Sequence, residues 1–323
     1  MLPNCRDCGA PLDPTALACP NCHALTHADE LESLVQQAQN AQLRRDFAAA
    51  RALWSQASAL LPPDTVQYSS IQSRISHLDQ ILAQPASSSK SKFGTAAGAG
   101  SILIALLTKG KFLLLGLTKA GTILSMLAFA GVYWSIYGWK LAVLFVLSIY
   151  IHEMGHVMEL HKYGIPASAP MFIPGFGAFI SMRGHSITRV QDNRVGLAGP
   201  IYGLGAAIAA LLVGHATGSK LWIACAHLTA VINLFNLIPI WQLDGSRGFA
   251  SLTRQQRAIV LVAAAVLWWI TGQPWLLLIA LVAIYRLFSK DYAPQPDQTG
   301  LLQFLGLLGA LTLVIVLAQN AAQ

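Results

Sequence analysis

Apolar positions along the chain follow two regimes. Between residues 27 and 83 they recur at helical spacing among polar residues, and from about 95 to 320 they run almost unbroken. In the first regime Leu31, Leu34, Val35, Ala38 and Ala41 fall on one face of a helix that also holds Gln42. Phe47, Ala50, Trp54, Ala57 and Leu61 mark a second helix, which Pro62-Pro63-Asp64 ends. Ile71, Ile75, Leu78 and Leu82 mark a weaker third, from about Val66 to Leu82. In the second regime, apolar runs at 121–139, 141–161, 195–217, 220–240, 257–271, 274–288 and 300–319 approach the roughly 20 residues of a spanning helix. The fifth and sixth are short, divided by Gly272-Gln273-Pro274. The pattern predicts a polytopic α-helical membrane protein of about six or seven transmembrane helices with a smaller soluble part.

Three stretches break the pattern. Residues 84–95 are Ser-rich and read as a flexible linker. Residues 96–120 are apolar but interrupted by Lys109, Lys111 and Lys119, which suits an interfacial amphipathic segment, with a short re-entrant or spanning helix as the alternative. Residues 169–182 are apolar, too short and too rich in Pro and Gly for a span, with β character around Met171–Ile173 and Ala178–Met182. Non-helical backbone at membrane depth needs protein or a water-filled cavity around it, so this piece is expected to dip in and offer an edge strand. The expected segments are therefore 1–25, 26–83, 84–95, 96–120, a core at 121–253 and C-terminal helices at 254–323.

Composition agrees with a membrane location. The chain is 54% hydrophobic and only 11% charged, against about 25% charged in soluble domains, and its mean hydropathy is +0.53. The net charge of +7 does not gather into one basic stripe, and it reads as membrane topology rather than as a nucleic-acid surface. With the N-terminus inside, cytosolic segments carry nine basic residues (Lys162, Arg183, Arg189, Arg194, Arg247, Arg254, Arg257, Arg286 and Lys290), and external ones carry Lys140 and Lys220. Met1–Cys8 has no apolar core region, so no signal peptide is read there. The expectation is a multi-pass protein of the lipid bilayer with a cytosolic N-terminus, in the cell inner membrane if the source is bacterial.

Cys5-x-x-Cys8 and Cys19-x-x-Cys22 are two thiolate-presenting turns, with Gly9 easing the first. Together they offer a closed tetrahedral site for one structural zinc, and two disulfides are the weaker alternative in a reducing compartment. His23 is read as a bystander. Ala38, Ala50, Trp54, Ala57 and Pro62 resemble one tetratricopeptide repeat, and a plain small helical bundle fits equally well. In either form residues 1–83 suit contact with a cytosolic protein partner.

The chemistry concentrates at His152-Glu153-Met154-Gly155-His156, an H-E-x-x-H motif inside an apolar run. On a helix the two histidines share one face a turn apart and can hold one zinc, with the intervening Glu placed to act on a water there. Ionisable groups at membrane depth are costly, so function is their default reading. A third ligand is needed at the same depth. Asp244 offers one, in Asn236-Leu-Ile-Pro239-Ile-Trp-Gln-Leu-Asp244-Gly245, where Pro239 breaks the helix. Asn236 suits a helix cap or interhelical hydrogen bond about as well as a substrate contact. Asn233, Cys225 and His227 are read as packing residues, and Gly203 and Gly205 as sites of close helix approach.

These two motifs together resemble the site-2 protease family of intramembrane zinc metalloproteases (peptidase M50-like). Leu197-Ala-Gly-Pro200-Ile-Tyr-Gly203 resembles that family's Gly-Pro segment, and Gly175-Phe-Gly177 the turn of its membrane-dipping β-hairpin. The likeness covers about residues 120–250. It implies His152, His156 and Asp244 as ligands of a catalytic zinc, Glu153 as general base and later proton donor, and Asn236 as a group holding the substrate strand or polarising its carbonyl. It also implies Gly175 and Gly177 at the substrate-binding hairpin. The implied activity is hydrolysis of a transmembrane protein substrate near its cytosolic side, with the soluble domain selecting substrate or regulating access. A membrane-anchored scaffold with a non-proteolytic membrane part, and a transporter lined by the same polar cluster, are the competing readings.

Overall fold

A computed structural model describes residues 4–83, 131–165, 171–173, 177–179, 185–289 and 291–322. These fall into two compact units, one carrying residues 4–83 with Met171, Phe179 and 185–186, the other holding the helices from 131 onward. The expected linker at 84–95, the segment 96–120, and Gly175 lie outside the described residues.

The first unit begins with two matching knuckles. In each, the residue after the second cysteine donates its backbone N–H to the carbonyl of the first, Gly9 to Cys5 and His23 to Cys19, both at 2.9 Å. Closing so tight a turn needs a left-handed residue, and Gly9 (φ 73) and His23 (φ 61) supply it. Helices α1 (Ala28–Leu43), α2 (Phe47–Ala59) and α3 (Val66–Ala83) follow. Asp46 caps α2 by accepting the Ala49 N–H at 3.0 Å. The faces marked by Ala38, Ala50, Trp54, Ala57, Leu61, Ile71, Ile75 and Leu78 meet in one core. Trp54 is only 2% exposed, and its buried indole N–H reaches Gln42 Oε1 at 3.1 Å.

The second unit is helical apart from most of β1 (Met171–Ile173) and β2 (Gly177–Phe179), which pair as a two-stranded sheet. Its helices are α4 (Trp139–Lys162), α5 (Arg189–Thr217), α6 (Lys220–Asn236), α7 (Asp244–Ala250), α8 (Arg254–Thr271), α9 (Pro274–Phe288) and α10 (Gln298–Ala322). Residues 131–137 are also helical, and Gly138, at φ 77, separates them from α4. Among the described residues α4, α5 and α10 are long and apolar enough to cross a membrane. At 1.5 Å per residue, α4 is about 36 Å long, against a hydrocarbon core of about 30 Å. Three of the expected spans are less clear-cut. Helices α6 and α9 have 17 and 15 residues, and α8 begins with Arg254 and Arg257.

Helix α5 starts at Arg189, six residues before the apolar run expected at 195, because Thr188 and Gln191 form a capping box that extends it through polar residues. This extra turn matters for the site. Helix α4 packs on α5 and α6, and α5 also packs on α7 and α10. At one end of the bundle Arg257, fully buried, binds the Phe249 carbonyl and Asp291. Asp297 there receives Arg194 at 2.6 Å. Burial opposes ionisation of Asp291 and Asp297, but hydrogen bonds outweigh it and hold both below the ordinary carboxylate range. Asp291 receives Arg257 and Ser289; Asp297 receives Arg194, the Gly300 N–H and Ser251.

Candidate metal centre

His152 and His156 lie one turn apart on the buried face of α4, 4% and 5% exposed. Their Nε2 atoms are 3.2 Å apart. Asp244, the first residue of α7, closes the set: its carboxylate oxygens lie 3.0 Å from His152 Nε2 and 3.3 Å from His156 Nε2. Tetrahedral ligation at about 2.0–2.1 Å spaces donor atoms about 3.3 Å apart, so these three fit the edges of a zinc site. Among the described residues this is one of two clusters of His, Cys and acidic groups able to hold a metal, the other being the four cysteines.

The imidazole tautomers are set from behind. His156 Nδ1 lies 2.6 Å from the Val195 carbonyl, which can only accept, so Nδ1 carries a proton and Nε2 is the nitrogen turned to the cluster. His152 Nδ1 lies 2.7 Å from Asn233 Oδ1. The Asn233 amide is itself oriented, since its Nδ2 donates to the Thr229 carbonyl at 2.7 Å. Both histidines thus turn Nε2 toward Asp244 with Nδ1 engaged from behind, the arrangement that metal-binding imidazoles require.

Backbone approach completes the pocket. A Cβ on Gly199 would sit 2.5 Å from His156 Cε1 and 2.6 Å from His152 Nε2. One on Gly203 would collide with the Asn233 amide, and one on Gly155 would stand 2.5 Å from the Ala198 carbonyl oxygen. Gly205, expected to permit close approach, has no atom of the described residues within 4 Å of its Cβ position. Two residues, about 200°, round α5 from Gly203, it lies on the opposite side of the helix.

Glu153 is 6% exposed and shares its surroundings with His152, His156, Asp244 and Arg247. Asn236, the last residue of α6, is half-buried and is not part of the metal cluster. Asn233, one turn earlier, makes the interhelical contact expected of it, and because its partner is His152 Nδ1 that contact also orients the imidazole. An Asn amid Thr229-Ala-Val-Ile-Asn233-Leu-Phe was the signal for it. Gly177 opens β2.

In the cysteine cluster Cys5 and Cys22 sulfurs are 3.6 Å apart, as are those of Cys8 and Cys19. Zinc–sulfur bonds of about 2.3 Å in a tetrahedron place sulfurs about 3.8 Å apart, so these also fit. Hydrogen bonds from the Ala10 backbone and the Asn21 side chain lower the Cys8 thiol to about 6, whereas burial pushes Cys22 up to about 12. The Cys8 thiolate is ready at neutral pH, and metal binding has to displace the Cys22 proton.

Residues 140–219 match the family model described as peptidase family M50. The M50 segment holds both histidines and Glu153, while Asp244, Asn233 and the cysteine cluster lie outside the matched residues. The chain is also 31% identical over 114 residues to a protein of Methanocaldococcus jannaschii named as a zinc metalloprotease. That alignment covers 33% of this chain and 33% of the relative, so the chain spans about a third of the curated protein's length. No solved structure matches the chain significantly.

Proposed function

We propose that this protein is an intramembrane zinc endopeptidase that hydrolyses peptide bonds of membrane-spanning substrates near their cytosolic side. The observation that carries the reading is the His152–His156–Asp244 donor set, whose separations of 3.0–3.3 Å suit one tetrahedral zinc. The M50 match over the histidines supports it.

In this reading His152, His156 and Asp244 hold the catalytic zinc. A zinc ion with three protein ligands acts as a Lewis acid and brings the pKa of water close to 7. Glu153 takes the proton of the attacking water and returns it to the leaving nitrogen, a general base turned general acid. Asn233 and the Val195 carbonyl keep both imidazoles aimed throughout. A transmembrane substrate hides its peptide bonds in helical hydrogen bonds and has to unwind locally. Strand β2, from Gly177, offers an edge for the unwound segment, and Asn236 helps to hold it. A second, structural zinc sits in the ribbon of Cys5, Cys8, Cys19 and Cys22. Residues 1–83, on the cytosolic side, select substrate or govern access.

The test is metal content with activity on detergent-purified chain. The parent holds two zinc ions and cleaves a transmembrane model peptide. Glu153→Gln keeps both ions and loses cleavage; His156→Ala keeps one ion. Cleavage by Glu153→Gln refutes the assigned base. A parent holding only the cysteine-bound ion favours the scaffold reading.

A further inference from the structure

Asp244 belongs to a seven-residue helix reached through a Pro-broken loop, a poor platform for a metal ligand unless something braces it. The brace is visible one turn on. Arg247 Nε donates to Asp192 Oδ1 at 2.8 Å, and its terminal nitrogen stands 2.7 Å from the same oxygen. Asp192 lies in the polar first turns of α5, with a side chain 10% exposed. Two further contacts run between the same elements. Asn193 Nδ2 donates to the Gly248 carbonyl at 2.5 Å. A Cβ on Gly196 would stand 2.6 Å from Arg247 Cβ and 3.2 Å from the Asp244 carbonyl oxygen, so the two backbones are in close contact.

The same stretch of α5 serves the other two ligands, since Val195 accepts from His156 and Gly199 abuts both imidazoles. Residues 192–199 therefore register the Asp244 helix against the His152–His156 helix. Of the contacts involved, the Asp192–Arg247 pair is the one between charged side chains, and a planar guanidinium fixes direction as well as distance. Among the described residues the other well-buried pair, Arg194–Asp297, ties α5 to the start of α10 and does not reach the Asp244 helix; Arg257 does reach that helix, but at its far end, through the Phe249 carbonyl.

We propose that Asp192 and Arg247 are positioning residues that hold the Asp244 carboxylate at ligating distance from His152 and His156. The proposal rests on the zinc-site reading above. A metal site tolerates about 0.2 Å in its distances, and loss of groups that orient ligands weakens metal binding by about 10- to 100-fold.

The experiment is competitive chelator titration of zinc on the purified full chain, with the cysteine-bound ion as internal reference and the thermal unfolding midpoint as the folding control. Arg247→Gln weakens the membrane-site zinc by about 10- to 100-fold and leaves the ribbon zinc unchanged. Arg247→Lys, which keeps the charge but not the fork, falls between parent and Arg247→Gln, and it replaces Arg247→Gln should that variant not fold. Asp192→Asn, which leaves Asp244 and both histidines intact, shows the same selective loss. Parent-like zinc affinity in a folded Arg247→Gln or Arg247→Lys chain, when the parent holds two ions, overturns this proposal alone. A parent without the membrane-site ion overturns the zinc-site reading and this proposal with it.

Discussion

Gly199→Ala isolates the metal centre with a single methyl group. The added Cβ would stand 2.6 Å from His152 Nε2 and 2.5 Å from His156 Cε1, where ordinary contact begins at 3.4 Å. The His152 ring must retreat by about 0.8 Å and the His156 ring by about 1 Å, roughly four to five times the tolerance of about 0.2 Å for a metal–ligand distance. They cannot retreat freely, because Asn233 and the Val195 carbonyl hold their far sides at 2.7 and 2.6 Å. Overpacking of this kind costs about 1–3 kcal/mol of stability, and a misplacement near 1 Å costs about 100-fold in rate. Gly205→Ala is the matched control: same helix, same chemical change, no atom of the described residues within 4 Å. In a helix interior the control should gain up to about 1 kcal/mol from propensity. Zinc per chain by mass spectrometry and cleavage of a model transmembrane peptide are read on both variants. Gly199→Ala should lose the membrane-site ion and at least about 100-fold in cleavage, with the cysteine-bound ion kept. Full metal and full cleavage in a folded Gly199→Ala chain would refute the geometry assigned to the two imidazoles.

Two further outcomes are expected. Asn233→Ala removes the acceptor behind His152 and should weaken the membrane-site zinc by about 10- to 100-fold, while Asn233→Asp keeps an acceptor in place and should retain binding; equal chelator titrations for parent and Asn233→Ala would count against the orienting role. Asp291 and Asp297, held below the ordinary carboxylate range by their arginine, hydroxyl and amide donors once burial is overcome, stabilise the fold above their unfolded pKa of about 3.9. That stability is lost as pH falls through the lower folded values, because the unfolded chain then binds more protons. Unfolding midpoints between pH 7 and pH 3 should drop in the parent and drop less in Asp291→Asn/Asp297→Asn; parallel curves would show that these two groups do not carry the acid sensitivity.

Much of this was legible in the chain itself, and the reason is periodicity. A 3.6-residue repeat places His152 and His156 on one face whatever surrounds them, and it places Ala50, Trp54 and Ala57 on another. Cys-x-x-Cys spacing works in the same local way, since the knuckle hydrogen bonds close within five residues. Helix boundaries were legible only where hydrophobicity marked them. The polar first turn of α5 escaped the apolar pattern, although Thr188 and Gln191 spell out its cap. Asn233 looked like an interhelical packing group because sequence records its polarity and not its partner.

What only the tertiary structure decided is which distant groups share one small space. Asp244 comes within 3.3 Å of two histidines some ninety residues earlier because α4, α5 and α7 converge. The Val195 carbonyl orients His156 through an atom every residue possesses, so no side-chain pattern can announce it. Gly199 and Gly205 are the same residue on the same helix, and one abuts both imidazoles while the other has no atom of the described residues within 4 Å of its Cβ position. Chain chemistry determines what each residue is able to do. Packing determines which of them are close enough to do it together, because ligation, tautomer choice and steric exclusion all act over a few ångströms.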